Sequence, residues 1–517
     1  MKSDKELYRQ LRGLPRDRLW ADEVPRFNSA SPRERMARVA VIRAVGAAFA
    51  SSGTAAQRAE VRSWLAGLLR DPHEKIRRYA MTALPKLGAG PGEEAELLAL
   101  LRTAEGDRER KYLGRSLDKI GGRATLEAVK AARGLLPQTE QKVRARVARR
   151  QGPSTIRMDH LFSRFEGLRI HLRCRRGLEE IVRDEAAERL VAAGRFRGIE
   201  LRRGLVAITP SAPFSLADLY ALRCFSTVNF VLGAAPADDV EALASAIASP
   251  MARRLFDAFT DGAPRYRLEF VSRGHQRGAV RLVANRAYAL CPEILNDPRG
   301  APWAVDIHPH GRGRSVELRP RLAPDPRFFY RRADVAAASH PPLAACLARL
   351  AGRAEGEIVW DPFCGSGLEL IERALRGGVR QVYGTDMSLE ALAIARDNFA
   401  AAKLESIPAR FTCCDFRESS EVEWLGPGSV TLIITNPPMG RRIRIPDMRG
   451  FFGDFFRVAA RALKPGGRLV FVNPLRLGPE GTSLQLQSRQ TVDLGGFDGR
   501  LEVYRKIGRS PAATSSA

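Results

Sequence analysis

The stretch that most constrains the fold is 357–368, Glu-Ile-Val-Trp-Asp-Pro-Phe-Cys-Gly-Ser-Gly-Leu. An apolar run from Ile358 to Trp360 ends in Asp361, glycines follow at 365 and 367, and a helical pattern runs from Leu368 to Leu375. This predicts a strand, a tight turn and a helix. Lacking a Cβ, Gly365 and Gly367 can take positive φ and let a ligand approach the backbone. The helix start adds N–H groups without intrahelical partners. One glycine turn is common in α/β proteins for packing alone, so the downstream pattern matters. Gln381 to Thr385 ends in Asp386, at the offset of about 20 residues typical of nucleotide-binding βαβ units. Arg410 to Cys414 ends in Asp415, and Val430 to Thr435 ends in Asn436-Pro437-Pro438-Met439-Gly440. Open parallel sheets bind ligands beyond the carboxyl ends of their strands. Asp361, Asp386, Asp415 and Asn436 are therefore expected to converge on one crevice.

Asp-Pro-Phe-Cys-Gly-Ser-Gly at 361–367 followed by Asn-Pro-Pro-Met-Gly-Arg-Arg at 436–442 resembles the class I S-adenosylmethionine-dependent methyltransferases. More narrowly it resembles the THUMP-associated RNA guanine-N2 methyltransferases, both the large-subunit rRNA K/L methyltransferase-like and the tRNA guanine-N2 types. Two positions depart from that pattern. Met439 stands where the family usually has Tyr, Phe or Trp, and Leu368 where it usually has Thr.

The resemblance implies the cofactor S-adenosyl-L-methionine. Asp361 would lie near its ammonium, with the backbone of Phe363, Gly365 and Gly367 close by. Asp386 would accept the ribose hydroxyls and Met387 would pack on the adenine face. Asp415 would accept from the adenine amino group, with Phe416 beside the ring. For Asp386 and Asp415 the competing role is helix N-capping. Asn436, Pro437, Pro438 and Met439 are the expected catalytic segment. The Asn436 oxygen and the Pro437 carbonyl would accept hydrogen bonds from an exocyclic base amine, on a loop stiffened by prolines, and Met439 would pack on the flipped base.

The length of 517 residues favours about three domains. Lys+Arg is 84 against Asp+Glu 58, a formal net charge of +26, which suits a polyanionic partner such as RNA. A high-GC genome would raise arginine usage without explaining why acids fail to balance it. The seven cysteines form no C-x-x-C pair, so neither a metal site nor a disulfide framework is expected and a reducing, cytoplasmic setting fits. No apolar signal core opens the chain, and no apolar run reaches the roughly 18 residues of a membrane span.

Residues 1–155 read as helices rich in Ala, Leu and Arg. Gly46, Gly88 and Gly121 each have an arginine eleven residues before, Arg35, Arg77 and Arg110. With Asp71-Pro72-His73-Glu74-Lys75-Ile76-Arg77 this is similar to HEAT repeats, the glycines serving as helix ends. Such a solenoid would offer a basic ridge to RNA or to a protein partner; a plain helical bundle is the alternative. Residues 150–167 read as a linker. The segment 168–335 reads as mixed α/β and resembles a THUMP-containing RNA-binding region, with strands at Arg265 to Val271 and Ala279 to Asn285. Arg273, Arg277, Arg312 and Arg314 are expected to neutralise phosphates, as is Arg442 beside the proline loop. Residues 336–508 are the expected Rossmann-like methyltransferase domain with a mostly parallel seven-stranded sheet, and 509–517 a disordered tail.

The reading is thus an RNA methyltransferase acting on guanine N2 in tRNA, favoured over 23S rRNA. Adenine-N6 methylation of RNA or DNA is a second reading, because Asn-Pro-Pro-x also serves that chemistry. A third is a non-catalytic RNA-binding scaffold with a degenerate methyltransferase fold. Cytosine-C5 chemistry is disfavoured because it needs a nucleophilic cysteine, typically in a Pro-Cys pair, which the chain lacks.

Overall fold

The computed structural model describes residues 4–131, 137–151, 153–237, 239–271, 274, 276–336, 338–440 and 445–508. Arg273, Arg442 and the 509–517 tail lie outside the described residues. The chain divides into two compact units, 1–156 with 233–316, and 157–232 with 317–517. The segment 168–335 is therefore divided between them.

The first unit begins with antiparallel helices, among them Ala40–Ser52, Ala55–Leu68, Glu74–Ala83, Pro91–Thr103 and Asp107–Ile120. Their apolar faces meet in one core that includes Ile42, Val45, Phe49, Leu65, Ile76, Leu97, Leu113 and Leu117. The three arginines of the repeat join neighbouring helices. Arg35 binds Asp71 at 2.7 Å. Arg77 reaches Glu109 at 2.9 Å and the Asp71 carbonyl at 2.8 Å, and Arg110 reaches the Ala104 carbonyl at 2.9 Å. Gly88, at φ +77°, and Gly121 do end helices. Gly46 does not: it lies inside Ala40–Ser52, where a Cβ would come within 2.8 Å of the Ala83 Cβ. Its role is close helix approach rather than termination.

In the rest of this unit the expected strand at Ala279 to Asn285 is a helix, Arg277–Leu290. Its buried residues Val283, Ala284, Ala287 and Tyr288 recur with the helical period, while short apolar runs do not by themselves separate strand from helix. The expected linker contains a short strand, Thr155–Ile156, paired antiparallel with Thr260–Asp261. Beside it Arg265, buried, donates to Ser154 at 2.9 Å and to Asp297 at 3.1 Å.

The second unit holds a seven-stranded sheet, β1 (Glu357–Asp361), β2 (Val379–Asp386), β3 (Ala409–Cys413), β4 (Val430–Thr435), β5 (Leu463–Asn473), β6 (Leu484–Asp493) and β7 (Asp498–Lys506). The order is β3-β2-β1-β4-β5-β7-β6. The first five strands are parallel, and β7 runs antiparallel to both β5 and β6. Helices α1 (Pro341–Leu350), α2 (Leu368–Ala374), α3 (Leu389–Ala401) and α4 (Met448–Ala462) accompany it. Every residue of β1 is buried, as a central parallel strand requires. Even Glu357 is inside, paired with Arg373 of α2 and Arg468 of β5.

Residues 157–232 pack on this sheet's domain. Strands Phe196–Arg202, Leu205–Pro210, Ile170–Arg173 and Thr227–Pro236 neighbour one another in that order, each pair antiparallel. Arg223 forks onto Glu372 of α2 at 2.7 and 2.8 Å. Arg176 holds Asp493 at 2.7 Å. Gly177, at φ +91°, sits so close to the Thr491 carbonyl that no Cβ would fit.

Candidate active site

The site grows from the ends of β1 and β4. Asp361 is fully buried. Its Oδ1 accepts from the Thr435 hydroxyl at 2.6 Å and from the Phe363 N–H at 3.0 Å. Its Oδ2 has no partner among the described residues. Burial first, and then the Glu369 carboxylate, push the Asp361 carboxyl well above the usual range. A buried carboxylate with one idle oxygen and an acid for a neighbour is poised for a ligand cation.

The turn that follows is fixed by β2. Gly365 at φ +48° donates its N–H to Asp386 Oδ2 at 3.0 Å, and Asp386 Oδ1 accepts from Ser388 N at 2.9 Å. An ionised carboxylate has about four acceptor positions, so Asp386 keeps capacity for further donors. Gly367, at φ +82°, lets α2 start against α3, where a Cβ would stand 3.3 Å from the Ala395 Cβ. Gly384 of β2 leaves no room for a Cβ, which would meet the Phe411 ring at 2.6 Å.

The other expected residues are placed as follows. The Phe363 ring packs edge-on to Phe416 at 5.0 Å and tilted on Phe451 at 5.5 Å. Phe416 is itself buried in this cluster. Asp415 caps the short turn Phe416–Glu421 through Arg417 N at 2.9 Å and pairs with the Arg417 guanidinium at 3.1 Å. Met387 is 76% exposed. Pro437 is buried, and Pro438, Met439 and Gly440 are half-buried beside Asn436. Of the arginines, Arg277 and Arg312 are exposed and belong to the first unit, where Arg314 is buried.

Sequence reasoning missed two residues. Asn436 Nδ2 donates to Ser339 Oγ at 2.8 Å, while Asn436 Oδ1 is buried without a partner among the described residues. Ser339 in turn makes a very short hydrogen bond to Glu369 Oε1. Glu369 is buried, and burial pushes its carboxyl up to about 7. The available signal was in α2, Leu-Glu-Leu-Ile-Glu-Arg-Ala, whose seven residues are all buried although three carry charge. Buried acids are rare unless partnered.

The sheet order and the strand-end constellation resemble those of class I methyltransferase domains, and the cofactor that such a domain implies is S-adenosylmethionine. More particularly, the family model described as RMKL-like, methyltransferase domain matches residues 329–482. Curated relatives include "Ribosomal RNA large subunit methyltransferase G" of Klebsiella pneumoniae, 28% identical over 35% of this chain and 42% of that protein. Another is "tRNA (guanine(10)-N2)-dimethyltransferase" of Methanocaldococcus jannaschii, 27% identical over 32% of this chain and 46% of that one. The chain spans about half the length of the curated relatives it matches. Among solved structures, TrmN from Thermus thermophilus superposes with a TM-score of 0.51 at 24% identity, covering 66% of this chain and all of that one. Among the described residues no helix is long and apolar enough to cross a membrane, and no cluster of metal-ligating side chains is found.

Proposed function

We propose that this chain methylates the exocyclic N2 amine of guanine in structured RNA, with tRNA favoured over 23S rRNA. The observation that carries the proposal is the Asn436 amide, whose Nδ2 is engaged and whose buried Oδ1 has no partner among the described residues. A buried acceptor without a donor costs about 1–3 kcal/mol, which a substrate N–H would relieve. The relatives named for rRNA and tRNA support the substrate class, as does the net charge of +26.

Asp361 and Asp386 are the residues that would hold the amino-acid and ribose ends of the methyl donor, with Asp415, Phe416, Met387 and the 363–367 backbone completing its surround. When bound, S-adenosylmethionine supplies a methyl on sulfonium, already activated and leaving its bonding electrons on sulfur. Asn436 Oδ1 and the Pro437 carbonyl accept the two N–H bonds of the base amine. That draws the nitrogen toward tetrahedral geometry and frees its lone pair to form the new N–C bond, one amine proton passing to solvent. Met439 packs on the extruded base. The chain's contribution is positioning, an effect that can reach ~7–11 kcal/mol. The THUMP-like and HEAT-like segments provide RNA-binding surface in this reading, Arg277 and Arg312 among it, and the helical repeats are also the place for a protein partner.

The test is transfer of labelled methyl from S-adenosylmethionine to tRNA and rRNA from cells lacking this gene, with nucleosides identified by mass spectrometry. N2-methylguanosine that disappears with Asn436→Ala is expected. N6-methyladenosine would replace the guanine assignment with adenine. No transfer to any RNA would overturn the proposal.

A further inference from the structure

We propose that Ser339 and Glu369 are positioning residues that decide which end of the Asn436 amide faces the substrate, and so select an amine rather than a carbonyl. This rests on the reading that Asn436 binds the base amine. The two ends of a carboxamide are nearly equal in size but opposite in hydrogen-bonding character. An Asn in a methyl-transfer site therefore needs something to choose its orientation, because the flipped amide would set N–H against N–H.

The choice follows from proton counting along three side chains. A serine hydroxyl has one hydrogen. Glu369 as a carboxylate can only accept, so Ser339 must donate to it. Ser339 Oγ is then an acceptor toward Asn436, and it takes the Nδ2 N–H at 2.8 Å. The Oδ1 end is left buried and without a donor among the described residues. A carbonyl of a base placed there would meet only oxygen, while an amine completes the network. Ser339 lies in the approach to α1 and Glu369 in the first turn of α2. The network thus joins two rigid elements to the end of β4. A buried acid with no ion pair among the described residues is a costly way to orient one hydroxyl, and the cost is understandable if the direction of that hydroxyl matters.

The experiment compares Ser339→Ala, Ser339→Thr and Glu369→Gln in the full chain, measuring kcat and KM for unmodified tRNA, S-adenosylmethionine affinity by calorimetry, and melting temperature. Glu369→Gln keeps the shape but can donate to Ser339, which frees the hydroxyl to point at Asn436. Ser339→Ala and Glu369→Gln are expected to lower kcat by about 10–100-fold, the scale of lost orientation, with KM for tRNA within about twofold; for Ser339→Ala, which keeps both the Asp361 and Glu369 carboxylates, cofactor affinity is expected within about twofold as well. Ser339→Thr retains the hydroxyl and is expected to restore most of kcat. If Ser339→Ala does not fold, the contrast of Glu369→Gln with Ser339→Thr carries the same test. Variants that keep kcat within twofold while Asn436→Ala abolishes transfer would overturn this inference and leave the proposed function standing. A parallel loss of cofactor affinity in Ser339→Ala would overturn it too, as a merely structural role. Retained transfer in Asn436→Ala would bring down the proposed function itself.

Discussion

Replacing Asp361 by Asn should move two properties in opposite directions. The Asn Oδ1 can still accept from Thr435 and Phe363, as the aspartate does at 2.6 and 3.0 Å. What disappears is the charge on a carboxylate whose other oxygen has no partner among the described residues. In the free protein that charge is a burden, because burial and Glu369 raise the Asp361 carboxyl well above its ordinary value. An acid whose folded pKa lies above its unfolded pKa of about 3.9 costs stability as pH rises through the lower value, and the cost persists at higher pH. At pH 8 the unliganded Asn variant should therefore melt at or above wild type. Under the proposal that Asp361 meets the donor's ammonium, binding should weaken by about 1.5–3 kcal/mol, the value of a charged hydrogen bond, or roughly 10–150-fold in Kd. At a donor concentration 100 times the wild-type Kd, wild type gains about 2.7 kcal/mol from binding, and a 100-fold weaker variant only about 0.4 kcal/mol. Thermal melts with and without S-adenosylmethionine, and calorimetric Kd values, measure both effects. A variant Kd within threefold of wild type would refute the assignment of Asp361 to the ammonium.

Activity should rise with pH and level off above about 7, as burial-shifted Glu369 ionises and Ser339 is committed to it, and Glu369→Gln should flatten that limb of the kcat profile. Asp361, Cys364, Glu372 and Tyr330 also face Glu369. Arg77→Ala should cost roughly 3 kcal/mol in urea unfolding, the low end for stranding one member of a buried pair, here Glu109. Gly177→Ala should destabilise by about 2 kcal/mol or more, because φ +91° strains any L-residue and the Cβ would overlap the Thr491 carbonyl; unchanged melting would contradict the contact between the 175–177 turn and β6.

The parallel core of the sheet was legible because its signals are local: apolar runs, an acid or an asparagine at each strand end, glycines in the turn. Asp361, Gly365, Asp386 and Asn436 could be ranked from those signals alone. The Ser339–Glu369 network could not, since its bonds join residues 97 and 30 positions apart. The eleven-residue spacing of arginine and glycine was visible, yet its meaning was not, because the partner acids lie elsewhere in the chain, Asp71 in the turn before Glu74–Ala83 and Glu109 in Asp107–Ile120. The run 279–285 inside the helix Arg277–Leu290 is too short to separate the strand period from the helical one. The grouping of 157–232 with the sheet's domain rests on Arg223–Glu372 and Arg176–Asp493, contacts no local pattern encodes.

Those internal ion pairs also bear on the charge. Arg35, Arg77, Arg173, Arg223, Arg265 and Arg373 each meet an acid at least nine-tenths buried. Such pairs remove one charge of each sign and leave the net +26 unchanged. Every acid taken inside to hold an arginine is one fewer acid outside, so the surface is relatively richer in cations than the composition states. Arginine cannot shed its proton in a protein, so the excess persists across the physiological pH range. Interior pairing and exterior attraction for a polyanion are therefore not competing explanations for the arginine content: the first sharpens the second.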